Sequence, residues 1–306
     1  MLQARRSSTN RLYQNYIAKW QKYCGERGIA YHSPSVPEAL GFLQELLQDS
    51  NSHRGYSAIC TARSALSAVI ILPDNQKFGD HPHVKQYIKG VFNKDPPKPR
   101  YVSTWDPQCV IDLLKSWYPA KSLSLLQLSK KVVMLILLVT GQRGQIITAL
   151  NVDRMELKHS MVTFHIRNED LKQGRQNHRP DPIKLRAFPD KRVCVVHYVK
   201  TYLERTLDLR KKEKQLVLTA CRPHKAASRD TISRWVKSVM TEAGVDVATF
   251  KPGSTRAAAS SKACAAGVAI DLILKAGGWS TETTFSRWYK KTVRKDQNRF
   301  AQAILN

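Results

Sequence analysis

The chain has 306 residues, 42% of them hydrophobic, and its 50 lysines and arginines against 24 aspartates and glutamates leave a formal charge of +26. That is too apolar for a disordered tail and long enough for two separate cores. The charge has no use for a small neutral substrate, whereas counterion release from a polyanion explains it, so nucleic acid is the first partner to consider.

An acidic membrane surface is the rival partner. The longest apolar run, Val132 to Val139, is far shorter than the roughly 20 residues of a spanning helix. The start, Met1-Leu-Gln-Ala-Arg-Arg6, lacks the apolar segment of a signal peptide. A cytoplasmic or nuclear protein that is neither secreted nor bound to membrane is expected.

The first region reads as helices. Ser8 and Thr9 are cap residues, and Tyr13, Tyr16, Ile17, Trp20 and Tyr23 recur on one helix face. Ser35 to Leu47 repeats the pattern with Val36, Ala39, Leu40, Phe42, Leu43 and Leu46, and Tyr56 to Ile71 with Ile59, Ala62, Leu66 and Val69. Lys85 to Phe92 makes a shorter fourth helix. Such stripes describe any helical bundle equally well.

Lys94-Asp-Pro-Pro-Lys-Pro-Arg100 bars a continuous helix and favours a stiff, extended connection. The expected division is a helical domain over 1–93, a linker over 94–103 and a second domain over 104–306. Residues 1–100 carry 14 cations against 7 anions and residues 101–306 carry 36 against 17, so both sides are basic, as a protein encircling a duplex would need.

In the second region Asp106 to Lys115 and Leu125 to Val139 read as helices, the latter so apolar that it should be buried on nearly all sides. Thr140-Gly141 ends it and presents Gln142 and Arg143 at a turn before a helix resumes over Gln145 to Leu150. By itself Arg143 also fits a cation satisfying carbonyls at a helix end. Met161 to Ile166 alternates as a strand should, and Asp181 to Leu185 can pair with it after a polar turn holding Lys172, Gln173, Gly174 and Arg175. Val193 to Leu207 is a helix, Leu216 to Thr219 a short strand and Asp230 to Ala243 another helix. Around that last helix Arg229, Arg234 and Lys237 stand beside apolar Ile232, Trp235, Val236 and Met240, which suits either contact with phosphates or an ordinary solvated face. Arg294 to Asn306 carries Phe300, Ala303, Ile304 and Leu305 at helical spacing.

The six cysteines, Cys24, Cys60, Cys109, Cys194, Cys221 and Cys264, are scattered without a CxxC pair, which argues against a disulfide scaffold or a structural zinc site. Most are expected to be buried small apolar residues. The histidines show no metal-ligand spacing either, so no metal is expected.

Against this background four signals stand in order: Thr140-Gly-Gln-Arg143, Gly253-Ser-Thr-Arg256, Gly277-Gly-Trp279 and Phe285-Ser-Arg-Trp-Tyr289. Two arginines and a tyrosine hydroxyl are what is needed to hold a phosphodiester, neutralise its transition state and attack it covalently. Trp279 follows Arg256 by 23 residues and Tyr289 follows Trp279 by ten. In this order and spacing the set resembles the tyrosine recombinase (integrase) family across residues 8 to 300. It is most similar to the type encoded by eukaryotic mobile elements of the DIRS-like, Ngaro-like or Crypton-like kind.

The resemblance implies a mainly α fold with a small antiparallel sheet (α+β), in which a helical core-binding domain and a catalytic domain form a C-shaped DNA clamp. It implies double-stranded DNA as partner, a dimer on a site, a tetramer in synapsis, no cofactor and a nuclear location. Tyr289 would be the nucleophile, Arg143 and Arg256 would hold the non-bridging oxygens, and Trp279 would add a hydrogen bond. Lys172 would protonate the leaving 5′ oxygen, with Arg175, Arg179 and Lys184 as substitutes. Arg229, Arg234, Lys237, Lys251, Ser254, Thr255 and Arg287 would contact DNA. One position departs from the family pattern His-x-x-Arg, because Gly253 stands where the histidine is usual. Two other functions therefore stay open: a DNA-binding protein on the same scaffold with reduced or lost catalysis, and DNA relaxation of the type IB topoisomerase kind.

Overall fold

The computed structural model describes residues 7–49, 55–73, 75–171 and 180–294. The chain divides into two compact units, Met1–Lys98 and Pro99–Asn306. Among the described residues no helix is long and apolar enough to cross a membrane.

The first unit consists of α1 (Ser7–Arg27), α2 (Val36–Gln48), α3 (Tyr56–Leu66) and α4 (Pro82–Lys94). Its core centres on the fully buried Trp20, whose indole N–H donates to Tyr31 O at 3.0 Å and whose ring meets Phe42 edge-on at 5.3 Å. Ser35 starts α2 with a capping box, its hydroxyl accepting the Glu38 N–H while the Glu38 carboxylate accepts the Ser35 N–H. α3 stops at Leu66 instead of running on to Ile71. There Ser67 donates its hydroxyl to Arg63 O and accepts the Gly79 N–H, both at 2.8 Å, and Ile71 bridges to Lys77. Ile70 and Leu72 remain buried, so the turn keeps the apolar pattern without the helix. α4 begins earlier than expected because Pro82 sits in its first turn, where a missing N–H costs nothing.

The second unit runs β1 (Ser103–Trp105), α5 (Pro107–Ser116), α6 (Leu125–Thr140), α7 (Ile146–Ala149), β2 (Met155–Leu157), β3 (Met161–Phe164), β4 (Ile183–Arg186), α8 (Val195–Thr206), α9 (Arg229–Glu242), α10 (Thr255–Ala265), α11 (Ile270–Gly277), α12 (Glu282–Trp288) and β5 (Thr292–Arg294). The fold is mainly α with a small antiparallel sheet, β2-β3-β4. In it Val162 lies opposite Leu185 and Phe164 opposite Ile183, all buried, while Lys184 alternates to solvent.

Three sequence expectations change. Leu216 to Thr219 forms no strand, only the single bridge Leu218–Ala226 within it and the bridge Asn151–Gln215 just before it. The Tyr202 hydroxyl accepts the Leu218 N–H at 3.0 Å and so takes a donor that a strand partner would have used. Thr292–Arg294 is a strand paired in parallel with β1, so Arg294 does not open a helix. The tail residues Phe300, Ala303, Ile304 and Leu305 lie outside the described residues. Of the six cysteines only Cys24 and Cys194 are buried, Cys221 being exposed and the others half-buried.

α6 is the central helix, with Leu128, Val132, Val133, Met134, Leu135, Ile136 and Leu137 all buried. Lys131 is fully buried with them. Its ammonium donates to Leu114 O at 2.5 Å and Trp117 O at 2.7 Å, closing the C-terminal end of α5, and sits 3.9 Å from the centroid of the Tyr198 ring. Burial pulls its pKa down to about 7, with Asp190 opposing the shift.

Candidate active site

The site is built from the ends of α6 and α10, the α11–α12 turn and the segment after α12. Gly141 ends α6 in the left-handed conformation, φ 59°, and donates its N–H to Leu137 O at 3.0 Å. Its own carbonyl accepts from Arg256 Nη1 at 3.2 Å. The next residue, Gln142, donates its amide to Ala276 O at 2.6 Å. One turn thus joins the start of α10 to the end of α11. Arg143, at the same turn, is exposed, and its charge acts on Arg256.

Arg256 occupies the first turn of α10 and is 3% exposed. Its guanidinium lies 3.8 Å from the centroid of the Trp279 ring and 5.0 Å from that of Tyr289. Burial, and then the charge of Arg143, pull its pKa down to about 10, while the neighbouring Tyr289 hydroxyl opposes the shift. It remains a cation at neutral pH. Its Nε and Nη2 are buried without a hydrogen-bond partner. Buried donors left unmet cost about 1–3 kcal/mol each.

Trp279 is placed by two glycines with different duties. Gly278 takes the left-handed conformation at φ 69°, which lets the Trp279 N–H turn back to Leu274 O at 2.9 Å. Gly277 gives the indole room, since a Cβ there would come within 1.8 Å of Trp279 Cζ3. The indole packs edge-on against Phe285 at 5.1 Å and Tyr289 at 4.9 Å, and its Nε1 is also buried without a partner. Tyr289 caps α12, its N–H donating to Phe285 O at 2.8 Å, and is half-buried.

The structure therefore brings Arg256, Trp279 and Tyr289 into ring contact and Arg143 into electrostatic range. The other expected residues fall elsewhere. Ser254 and Thr255, expected as DNA contacts, are both 3% exposed, and their hydroxyls are engaged within the protein. The Ser254 hydroxyl accepts from Trp105 Nε1 at 2.9 Å, and that of Thr255 donates to Pro252 O at 2.9 Å. These hydroxyls fasten the start of α10. Lys251 is exposed, and its ammonium donates to Ala248 O at 2.9 Å and Val247 O at 3.4 Å. Gly253 is exposed, and a Cβ added there would meet nothing within 4 Å.

Arg229, Arg234 and Lys237 share the exposed face of α9, opposite buried Ile232, Val236, Val239 and Met240. Lys184 is exposed on β4, and Arg287 is exposed over the Trp288 ring. Lys172, Arg175 and Arg179 lie outside the described residues. Trp105 and Ser261 carry no signal in the sequence, and Gln142 stands out there only as the neighbour of Arg143 at the turn. A hydroxyl or amide that binds backbone remote in the chain leaves no local pattern to find.

The model of the phage integrase family matches residues 114–295, more than half of the chain and all of the site from α6 onward. The chain belongs to the phage integrase family. The fold of this integrase-family chain is similar to that of a lambda integrase dimer bound to a COC′ core site, at a TM-score of 0.55 and 14% identity over 95% of this chain and 91% of that one. It is also similar to the XerH recombinase bound to a difH substrate, TM-score 0.53 and 13% identity, covering 88% of this chain and 70% of that one. The Tn1549 transposon integrase in complex with transposon right end DNA gives a TM-score of 0.52 and 14% identity over 89% and 84%. No curated protein sequence matches the chain.

Proposed function

We propose that the chain is a site-specific recombinase that cuts and rejoins double-stranded DNA through a 3′-phosphotyrosyl intermediate, serving the integration or excision of a eukaryotic type of mobile element. The observation that carries this reading is the set of three buried donor nitrogens without partners, Arg256 Nε, Arg256 Nη2 and Trp279 Nε1, beside the ring of Tyr289. Donors fixed in place before the reaction and shielded from water are what stabilises charge developing on phosphoryl oxygens.

In the proposed step Tyr289 Oη forms a bond to phosphorus and the bond to the 5′ oxygen breaks. The phenolic proton passes to water, and Lys172 supplies a proton to the leaving oxygen. Arg143 and Arg256 hold the non-bridging oxygens and Trp279 donates a third hydrogen bond. Attack by another strand's 5′ hydroxyl on the phosphotyrosyl bond reverses the chemistry, so no nucleotide is consumed. The charge of +26 supports binding to the duplex backbone. The lambda integrase complexes, described as a dimer on a core site and a tetramer on a Holliday junction, support the expectation of a dimer on a site and a tetramer in synapsis.

A second reading, DNA binding without cleavage, is favoured by Gly253, which offers neither a side-chain base nor a side-chain donor where the family pattern has histidine. Both are tested with a pool of nicked, randomised duplexes that trap covalent adducts, using wild type, Tyr289→Phe and Gly253→His. Wild type is expected to form an adduct that Tyr289→Phe abolishes while keeping DNA binding, and Gly253→His is expected to speed the reaction roughly tenfold to a hundredfold. An adduct that survives Tyr289→Phe removes the nucleophile assignment. Wild-type binding without any adduct selects the second reading, and plasmid relaxation without strand exchange selects a topoisomerase.

A further inference from the structure

We propose that Ser261 is a positioning residue that sets the place of Tyr289 relative to Arg256, an inference that rests on Tyr289 being the nucleophile. Ser261 lies on α10, the helix that carries Arg256, and is 2% exposed. Its hydroxyl donates to Tyr289 O at 2.8 Å and accepts from Lys291 N at 3.0 Å. A single hydroxyl has one proton to give and lone pairs to receive, so it closes both backbone groups on either side of Lys290.

The two bonds matter because of where the turn lies. Tyr289 is the residue at which α12 ends, with its backbone at φ −123°, ψ −28°, and Thr292 then enters the parallel pairing of β5 with β1. Between helix and strand, Ser261 is the side chain that binds this backbone to α10. β1 is itself tied to the start of α10 through the bond from Trp105 Nε1 to Ser254 Oγ. The backbone from Tyr289 to β5 is thus tied to the helix that carries Arg256 at two places, through β1 and Ser254 at its start and through Ser261 directly. A main-chain shift at Tyr289 moves the phenol relative to the donors of Arg256 and Trp279, and misplacement by about 1 Å can cost a hundredfold in rate.

The test compares wild type, Ser261→Ala and Ser261→Thr in the full chain. Ser261→Ala is expected to slow adduct formation at saturating DNA by roughly tenfold to a hundredfold, with DNA affinity unchanged, and Ser261→Thr to recover most of the rate. Hydrogen exchange at the Lys291 amide is expected to quicken in Ser261→Ala and to return toward wild type in Ser261→Thr. An alanine variant with wild-type cleavage rate overturns the proposal, as does a rate loss matched by an equal loss of DNA affinity. Wild type that forms no adduct defeats the recombinase reading instead. In that case the exchange measurement still judges the clip, and an unchanged Lys291 amide in Ser261→Ala defeats it.

Discussion

The guanidinium of Arg256 stacks 3.8 Å from the centroid of the Trp279 ring, with the Tyr289 ring centroid 5.0 Å from the same group. Stacking uses the face of the guanidinium and leaves its in-plane N–H edge for hydrogen bonds. One edge donor is held by Gly141 O, and Nε and Nη2 have no partner. An ammonium has no such division between face and edge.

Arg256→Lys is therefore expected to keep the positive charge but lose the planar pair of donors. Adduct formation should fall by roughly 10² to 10³, while DNA affinity changes by less than about tenfold because the charge is retained. Single-turnover cleavage alongside equilibrium binding checks this. Equal losses in both would mean that Arg256 serves binding only.

The two glycines at 253 and 277 should respond oppositely to alanine. At Gly277 the new Cβ would come within 1.8 Å of Trp279 Cζ3, so the indole must move. Gly277→Ala is expected to destabilise the fold by about 1–3 kcal/mol and to depress cleavage. At Gly253 the same change meets nothing within 4 Å, and stability should stay within about 0.5 kcal/mol of wild type. Denaturant unfolding of both variants is the measurement.

Lys131 predicts a pH dependence with a definite sign. Burial lowers its pKa from 10.5 to about 7, so between those values the unfolded chain binds a proton that the folded chain does not. Stability contributed by this group then rises with pH across that window and is lost as pH falls toward about 7. Lys131→Met removes the group while leaving Leu114 O and Trp117 O without their donor. The wild-type advantage in unfolding free energy over Lys131→Met should grow from pH 7 to pH 10. An advantage that stays flat would contradict the lowered pKa.

Local signals account for most of the elements. Ser35 with Glu38 and Ser124 with Gln127 cap α2 and α6, Gly141 stops α6, and alternation in Met161–Phe164 marks β3, because each depends on residues within one or two turns. The three-residue strands β1 and β5 were hidden, since three residues carry no periodicity and their pairing spans most of the second unit. The same limit hid the intramolecular partners of Ser254 and Thr255. A serine and a threonine beside an arginine look available to a phosphate until Trp105, 149 residues away in sequence, is seen to occupy one of them.

The amino-acid sequence by itself determined the helical character of the chain, its basic charge, and the order of Arg143, Arg256, Trp279 and Tyr289, all of which follow from composition and short-range spacing. Tertiary structure alone decided which of those groups are stripped of water and left unpaired. Arg256 donates to a carbonyl 115 positions away, and Tyr289 is held by a hydroxyl 28 positions away. Burial and hydrogen bonding at that range are properties of packed neighbours, and packing is settled only when the whole second unit closes around α6.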